Sequence, residues 1–191
     1  MLFRSHLRES AVSFGQGRHI NRYLVRRGEL LNFVAVAHRN RWEAEGWNIP
    51  APLDEFLDEF SSFDEGTRMV ISRPAQIYKW GLFGRPWLEQ WHAGRVVLLG
   101  DAAHPMLPFL GQGAANAIED AMILTRCLVS ESTPEQAFAR YQRTRGPRVK
   151  GATEQAARRG DRYLGEPDAN SLKGDEPYAQ YVYDAVAGPL G

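Results

Sequence analysis

The chain has 191 residues, which is enough for one well-packed core or for two small lobes. Lys and Arg number 23 and Asp and Glu number 23, so the formal net charge is zero and the composition argues against a nucleic-acid or membrane surface. A single cysteine excludes a disulfide framework and a zinc site, and no bound metal is expected. No signal peptide and no long apolar run is recognised, so a cytoplasmic protein is expected.

Residues 12–38 have the pattern of a β-hairpin. His19, Asn21, Tyr23 and Val25 alternate with Ile20, Arg22, Leu24 and Arg26. Arg27-Gly28-Glu29 is a turn signal, and Leu30–Ala37 is largely apolar. Because side chains alternate between the faces of a strand, His19 and Tyr23 should share one face. That face is either an ordinary half-buried strand surface or a ligand-binding surface.

The middle of the chain predicts short elements. Residues 39–52 are predicted as a loop, and residues 53–60 as a helix because their apolar side chains recur at helical spacing. Arg68–Ile71 and Ile77–Phe83 are predicted as short strands. Residues 85–93 are expected to form a short helix or turn that packs through its tryptophans. Residues 95–99 (RVVLL) predict a buried strand, because they are largely β-branched and aliphatic and lie between two glycines.

Two helices are predicted after this strand. The first covers about 114–129, and its apolar face consists of Ala114, Ala117, Ile118, Ala121, Met122, Thr125 and Leu128. The second starts at a capping-box pattern, Ser132 to Glu135, and runs toward Gly160 with a bend or break near Gly146-Pro147. Its many arginines are interpreted as a solvated face. The tail after Gly165 predicts loop and short helix.

The turn after residues 95–99 carries the first candidate for binding chemistry. Asp101 stands at the carboxyl end of the predicted strand, where open α/β sheets bind nucleotide cofactors and a carboxylate can accept hydrogen bonds from sugar hydroxyls. An aspartate that only caps the turn would have the same spacing. His104 follows in the same turn; a catalytic base is conceivable there, but a histidine that packs and caps the turn is favoured.

The loop that precedes the first helix carries the second candidate. Gly111-Gln112-Gly113 opens the helix, where glycine permits close approach of a ligand and the first N–H groups are unpaired donors. A plain glycine-rich helix entry explains the same residues. Neither this segment nor Gly15-Gln16-Gly17 is a dinucleotide fingerprint, because both lack the third glycine.

Residues 94–121, GRVVLLGDAAHPMLPFLGQGAANAIEDA, resemble the second flavin-binding motif of the single-component FAD-dependent aromatic-ring monooxygenases, especially the salicylate hydroxylase-like branch. GQGRH with Tyr23, RRGELLNFVAV, Trp80–Trp91 and YQRTRGPRVK resemble further segments of that family, so nearly the whole chain is covered. The resemblance implies an α/β protein, α+β in this fragment. Residues 1–83 would be part of a substrate-domain β-sheet. Residues 84–165 would be the C-terminal strand and helices of an FAD-binding Rossmann-like domain, and residues 166–191 a tail.

The resemblance also implies a function and a set of site residues. The function is NAD(P)H-dependent hydroxylation of an aromatic acid or related ring through a flavin hydroperoxide. Asp101 would bind the ribityl chain of FAD, and the backbone of the helix entry would face the pyrimidine edge of the flavin ring. Pro108 would lie where substrate meets flavin, and His19 and Tyr23 would orient or deprotonate a phenol. The implied cofactor-binding residues are Gly100, Asp101, Pro108, Gly111, Gln112, Gly113, Ala114, Ala115 and Asn116.

Two family motifs are not found in these 191 residues: the G-x-G-x-x-G that holds the FAD pyrophosphate and a later Asp-Gly motif. The expectation is therefore a C-terminal half of a hydroxylase, with an aromatic small-molecule substrate and either the missing N-terminal half or a second copy as partner. Nucleic acid and membrane are not expected as partners. The alternative is a non-catalytic truncated remnant or half-protein that lacks the FAD pyrophosphate site, and weak or no FAD binding is expected from the chain alone.

Overall fold

The computed structural model describes residues 10–39, 46, 48–165 and 183–191. Two compact units divide the chain: Met1–Leu82 with Asp161–Leu172, and Phe83–Gly160 with Lys173–Gly191. Most of the predicted tail lies outside the described residues. The domain limits taken from the resemblance stay a prediction.

A three-stranded antiparallel sheet dominates the first unit. Its strands are β1 (Ser10–Gly15), β2 (Arg18–Val25) and β3 (Leu30–Ala37), with β2 in the middle. The predicted hairpin is β2–β3, closed by a 3-10 turn at Arg26–Gly28. The pattern had given no separate strand for β1, which pairs with β2 so that Phe14 lies opposite His19.

Two short helices cover one face of this sheet. They are α1 (Leu53–Glu59), as predicted, and α2 (Glu65–Ile71). The predicted strand at Arg68–Ile71 is wrong, because Asp64 caps a helix there: its side chain accepts a hydrogen bond from the Thr67 N–H at 3.0 Å. The core beneath the helices consists of Ile20, Phe60, Phe63 and Ile71, packed against Phe33 and Phe56.

The end of the predicted loop 39–52 is a strand instead. β4 (Ile49–Ala51) pairs antiparallel with β5 (Ile77–Lys79), so the strand predicted at Ile77–Phe83 is also shorter than expected. Pairing with a distant segment overrides the local turn signal of the prolines here.

The strand of the second unit is much less buried than its composition predicts. β7 (Val96–Val97) pairs only with β6 (His92–Ala93), and Val96 is 65% exposed. Within the described residues no further strand pairs with β7, so Val96 is left exposed, whereas Val97 and Leu98 pack against the core of this unit. The preceding segment contains no helix but does pack: Trp91 is buried, with its ring 5.7 Å from that of Tyr141.

Helix α3 (Gly113–Ser130) matches the prediction in extent but buries a different face. The buried stripe is Asn116, Asp120, Ile123 and Cys127. The predicted apolar face is largely exposed, with Ile118 at 71% and Met122 at 40%. Helix α3 is therefore polar in part where it is buried and apolar where it meets solvent.

Helix α4 (Pro134–Leu164) is continuous through Pro147, so of the predicted bend or break the break is wrong. Arg145 and Val149, on either side of the proline, are both fully buried, and this packing maintains the helix despite the lost backbone hydrogen bond. The cap is Thr133, whose hydroxyl accepts from the Gln136 N–H at 3.3 Å, rather than Ser132. None of the helices in the described ranges combines the length and apolar character needed to cross a membrane.

The contact between Gly160 and Phe109 yields a prediction about stability. A Cβ at Gly160 would lie 2.5 Å from Phe109 Cε2, so Gly160→Ala must displace that ring and should lower the free energy of unfolding by about 1–3 kcal/mol. Gly151→Ala is the matched control on α4, because nothing lies within 4 Å of its Cβ position; it should stabilise by ~0.5–1 kcal/mol. Urea denaturation measures both, and equal stability of the two variants would contradict the packing described.

Candidate cofactor site

A glycine turn directs Asp101 to the surface of the second unit. Gly100 has a φ of +57°, a conformation that favours glycine. A Cβ at this position would also lie only 3.0 Å from the Cβ of Ala117, which leaves no room for a larger side chain. The N–H groups of Ala103 and His104 each donate to the Gly100 carbonyl at 2.9 Å. This closed turn leaves Asp101 exposed, and among the described residues its carboxylate accepts no hydrogen bond.

The entry to α3 presents backbone donors beside that carboxylate. Gly111 has a φ of +64° and ends a 3-10 turn at Pro108–Leu110. No side chain caps α3, so the first N–H groups of the helix are open to a ligand and to the favourable end of its dipole. The Asp101 Oδ1 atom lies 3.8 Å from the point where a Cβ of Gly113 would be. One surface therefore combines an acceptor for hydroxyl groups with donors for an electron-rich edge.

The implied cofactor residues differ in what they expose. Asp101, Pro108, Gly111 and Ala114 are exposed, and Gly113 and Ala115 are half-buried. Gly100, Gln112 and Asn116 are buried. The Asn116 side chain is also engaged internally, because its amide donates to the Gln112 carbonyl at 2.9 Å. Within this set, the side chain positioned to contact a polar ligand is that of Asp101.

A buried carboxylate, that of Asp120, hydrogen-bonds to the turn that carries this surface. Asp120 is fully buried, and its Oδ2 accepts from the Gly100 N–H at 2.9 Å and lies 2.6 Å from His104 Nε2. Its Oδ1 accepts from Arg145 Nε at 2.7 Å. The favoured role of His104, a histidine that packs within the turn, is the one the structure shows.

We define the Asp120 cluster as Asp120, His104, Arg145 and the Gly100 N–H. Hydrogen bonds within this cluster stabilise the charged forms of Asp120 and Arg145 despite their burial. Burial alone would raise the pKa of Asp120, but hydrogen bonds from His104, Arg145 and the Gly100 N–H outweigh it and leave that pKa below its ordinary value. Burial likewise works to lower the pKa of Arg145, yet its bond to Asp120 raises it overall. Both groups are therefore ionised at neutral pH.

Neither the role of Asp120 nor the burial of Arg145 was predicted from the sequence. Arg145 is fully buried and also reaches Asn116 Oδ1 at 2.9 Å and Glu119 Oε2 at 2.7 Å, so the arginines of α4 are not all solvated. Glu119 in turn accepts two hydrogen bonds from Arg148, both at 2.9 Å. The available signal was the four-residue spacing of Asn116 and Asp120, which places two polar side chains on one stripe of a helix.

His19 and Tyr23 lie in the first unit, on the face of the sheet opposite α1 and α2. His19 is 5% exposed, and its ring lies 5.2 Å from that of Tyr163 in an edge-on arrangement, while Tyr23 is 38% exposed. Four residues of strand separate their backbones by about 13 Å. The structure thus confirms that they share a face but does not bring them into contact.

Comparison with known proteins identifies the family. A family model described as an FAD binding domain matches residues 54–156, more than half of the chain. The chain belongs to this FAD-binding family. The match includes the Gly100 turn, the entry to α3 and the whole Asp120 cluster, so the surface described above lies within the matched region.

Curated relatives of the chain are aromatic-ring monooxygenases by name. The chain is 35% identical to a 3-amino-4-hydroxybenzoate 2-monooxygenase of Streptomyces platensis over 187 residues, covering 93% of the chain and 47% of the relative. It is 36% identical to 3-hydroxybenzoate 6-hydroxylase 1 of Aquipseudomonas alcaligenes over 135 residues, covering 71% and 34%. The chain therefore spans less than half the length of these relatives.

Solved structures with the same fold are also flavoproteins or hydroxylases by title. A salicylate hydroxylase substrate complex superposes with a TM-score of 0.80 at 24% identity, covering 92% of this chain and 47% of that one. CtdE in complex with FAD and a substrate gives 0.79 at 22% identity, covering 93% and 46%. The resemblance to this family, the α+β fold class of the chain and FAD as the family's cofactor are confirmed.

The Asp120 cluster yields a prediction about pH. Asp120→Asn leaves Arg145 buried without its full counter-charge and should lower the free energy of unfolding by about 3–5 kcal/mol near neutral pH. Because the folded-state pKa is depressed, the stabilisation is present above the ordinary carboxyl value and is lost as pH falls through the folded value. The difference between wild type and variant should therefore narrow below about pH 4.

Urea denaturation at several pH values measures this difference. Asp58→Asn is the control, since Asp58 is exposed on α1, and it should change stability by less than about 0.5 kcal/mol at every pH. One contrary result is that the Asp120→Asn variant loses no more unfolding free energy than the control, and another is that it loses the same amount at every pH. Either result would show that the buried carboxylate is not ionised.

Proposed function

We propose that this chain supplies the ribityl- and ring-facing half of the FAD site, together with part of the substrate surface, of an NAD(P)H-dependent aromatic-ring hydroxylase. The observation that carries this proposal is the surface where the unpartnered Asp101 carboxylate adjoins the uncapped start of α3. The names of the relatives support an aromatic acid or related ring as substrate. FAD, when bound and reduced by NAD(P)H, supplies the activation of dioxygen.

The residues at this surface fit the two polar parts of such a cofactor. The Asp101 carboxylate would accept hydrogen bonds from the ribityl hydroxyls, and the open N–H groups of the first turn of α3 would donate to the electron-rich edge of the ring. The helix dipole favours negative charge at that edge by roughly 0.3–1 kcal/mol, and more where the site is partly buried. Pro108, exposed on the adjoining 3-10 turn, limits how a substrate approaches the ring.

The substrate-facing role falls on His19 and Tyr23, with His19 as the base. Burial lowers the pKa of His19, so its imidazole is neutral at pH 7 and can accept a proton from a phenol. Tyr23 lies on the same strand face and is 38% exposed, so it supplies a second contact to the ligand.

A partner would cover the apolar stripe of α3. Ile118, Met122 and Val129 recur on one side of this helix at 71%, 40% and 83% exposure, and Val96 is also exposed. Exposed apolar surface of this kind is typical of an interaction site. The half-protein alternative is favoured by this stripe, with either the complementary FAD-binding half or a second copy as the partner.

Flavin binding by the isolated chain tests the proposal. If the chain contacts only the ribityl chain and the ring, it should bind riboflavin and FAD with similar, weak affinities. Their dissociation constants should agree within about threefold. Asp101→Ala should weaken both by about tenfold, because it removes charge-assisted hydrogen bonds. Quenching of flavin fluorescence on titration with protein gives the dissociation constants.

Glu89→Ala is the control, since it removes an exposed carboxylate of the same unit outside this surface. Much tighter binding of FAD than of riboflavin would reveal a pyrophosphate contact within the chain. Absence of saturable quenching, or equal binding by Asp101→Ala and wild type, would contradict the assignment of Asp101.

The environment of His19 yields a prediction that NMR can check. Its titration midpoint should lie below the ordinary 6.5, because burial disfavours the charged imidazolium. Tyr163→Ala should open the site and move the midpoint back toward 6.5, whereas Tyr78→Ala, at a 47% exposed position on β5, should not. A midpoint at or above 6.5 in the wild type would remove the argument for a neutral base.

A further inference from the structure

Residues 183–191, called the strap below, lie against the two long helices of the second unit and outside the region that the family model matches. Arg126 of α3 holds the backbone of the strap. Its Nη1 donates to the Ala185 carbonyl at 3.0 Å, and its Nη2 donates to the Gly188 carbonyl at 2.7 Å. Ala185 and Leu190 also pack against the core of this unit. The strap is therefore a docked part of the second unit.

The first residue of the strap, Tyr183, places its ring over two arginines of α4. The centre of the ring lies 4.3 Å from the guanidinium carbon of Arg148 and 5.1 Å from that of Arg145. The Arg145 side chain is fully buried, whereas the neighbouring side chains of Arg148 and Glu119 remain 18% and 17% exposed. The Tyr183 ring is therefore part of the cover that keeps water from Arg145, and a ring attracts a cation most strongly where both are desolvated.

Arg145 connects this ring to the candidate cofactor surface. Its Nε donates to Asp120 Oδ1 at 2.7 Å, and Asp120 Oδ2 accepts from the Gly100 N–H at 2.9 Å. Burial works to lower the pKa of Arg145, and its hydrogen bonds to Asp120 and to Tyr183 raise it. Because charges attract more strongly where water is excluded, a cover over Arg145 strengthens its pair with Asp120.

We propose that Tyr183 is a positioning residue for the candidate cofactor surface. Its ring keeps water from Arg145 and so stabilises the pair of that arginine with Asp120. The paired carboxylate in turn binds the Gly100 N–H and fixes the turn on which Asp101 lies. The effect of Tyr183 on the turn is independent of any ligand, whereas its effect on flavin binding rests on the proposed function.

Hydrogen exchange of the Gly100 amide, followed by NMR in the flavin-free, full 191-residue chain, tests the effect on the turn. Tyr183→Leu removes the ring but keeps an apolar side chain, and it should lower the protection factor of this amide at least about tenfold, because the turn then opens more often. The Leu98 amide, which donates to the Trp91 carbonyl at 2.8 Å in the same unit, should change by less than about threefold. This difference separates a positioning role from a general loss of stability.

Two further variants serve as controls. Tyr183→Phe keeps the ring and loses only the hydroxyl, so it should retain the protection of the Gly100 amide within about threefold. Val186→Ala changes a residue of the strap that is 67% exposed, and it should leave both amides as in the wild type.

Titration with riboflavin gives the second readout. Tyr183→Leu should raise the dissociation constant at least about fivefold, and Tyr183→Phe should leave it within about twofold of the wild type. Circular dichroism melting curves verify that each variant folds. The proposal would be overturned by unchanged protection of the Gly100 amide in Tyr183→Leu, by an equal loss at Gly100 and Leu98, or by a loss in Tyr183→Phe as large as in Tyr183→Leu. A wild-type chain that bound no riboflavin would contradict the proposed function, and the exchange data would still decide the role of Tyr183.

Discussion

The buried carboxylate of Asp120 is the interaction on which the candidate site depends. It joins α3 to the Gly100–His104 turn, through the Gly100 N–H and His104, and to α4, through Arg145. Charges in an interior are tolerated only when paired and hydrogen-bonded, and Asp120 meets both conditions. Because its partners come from different elements, one carboxylate fixes the turn relative to both long helices.

This network explains why α3 buries its polar stripe. Asn116 and Asp120 must face α4 to reach Arg145, and Ile123 and Cys127 follow on the same stripe at helical spacing. The richer apolar stripe with Ile118 and Met122 is consequently turned outward. An amphipathic pattern shows that a helix has two unlike faces, but it does not show which face meets the rest of its own unit when a partner can cover the other.

Features that depend on interactions between residues close in sequence could be predicted, and features that depend on distant segments could not. The hairpin β2–β3, the helices α1 and α3 and the packing role of His104 depend on periodicity and turn chemistry, and they were predicted. The helix at Glu65–Ile71 was missed because one cap, Asp64 with Thr67, overrides the β-like composition of its last residues. The exposure of Val96 and the burial of Arg145 could not be predicted, since each depends on which distant segment lies next to it.

The candidate site combines few exposed side chains with many backbone groups. The surface assigned to FAD exposes one charged side chain, Asp101, and otherwise offers backbone N–H groups that almost any sequence could supply. These N–H groups can bind a ligand because no side chain caps the start of α3. The glycine at position 100 also allows Ala117 of α3 to pack closely against the turn. Side chains that touch no ligand, above all Asp120 and Arg145, therefore determine whether the backbone forms a site. Substitutions beneath such a surface should alter binding as strongly as substitutions on it, because the preorganised donors are lost in either case.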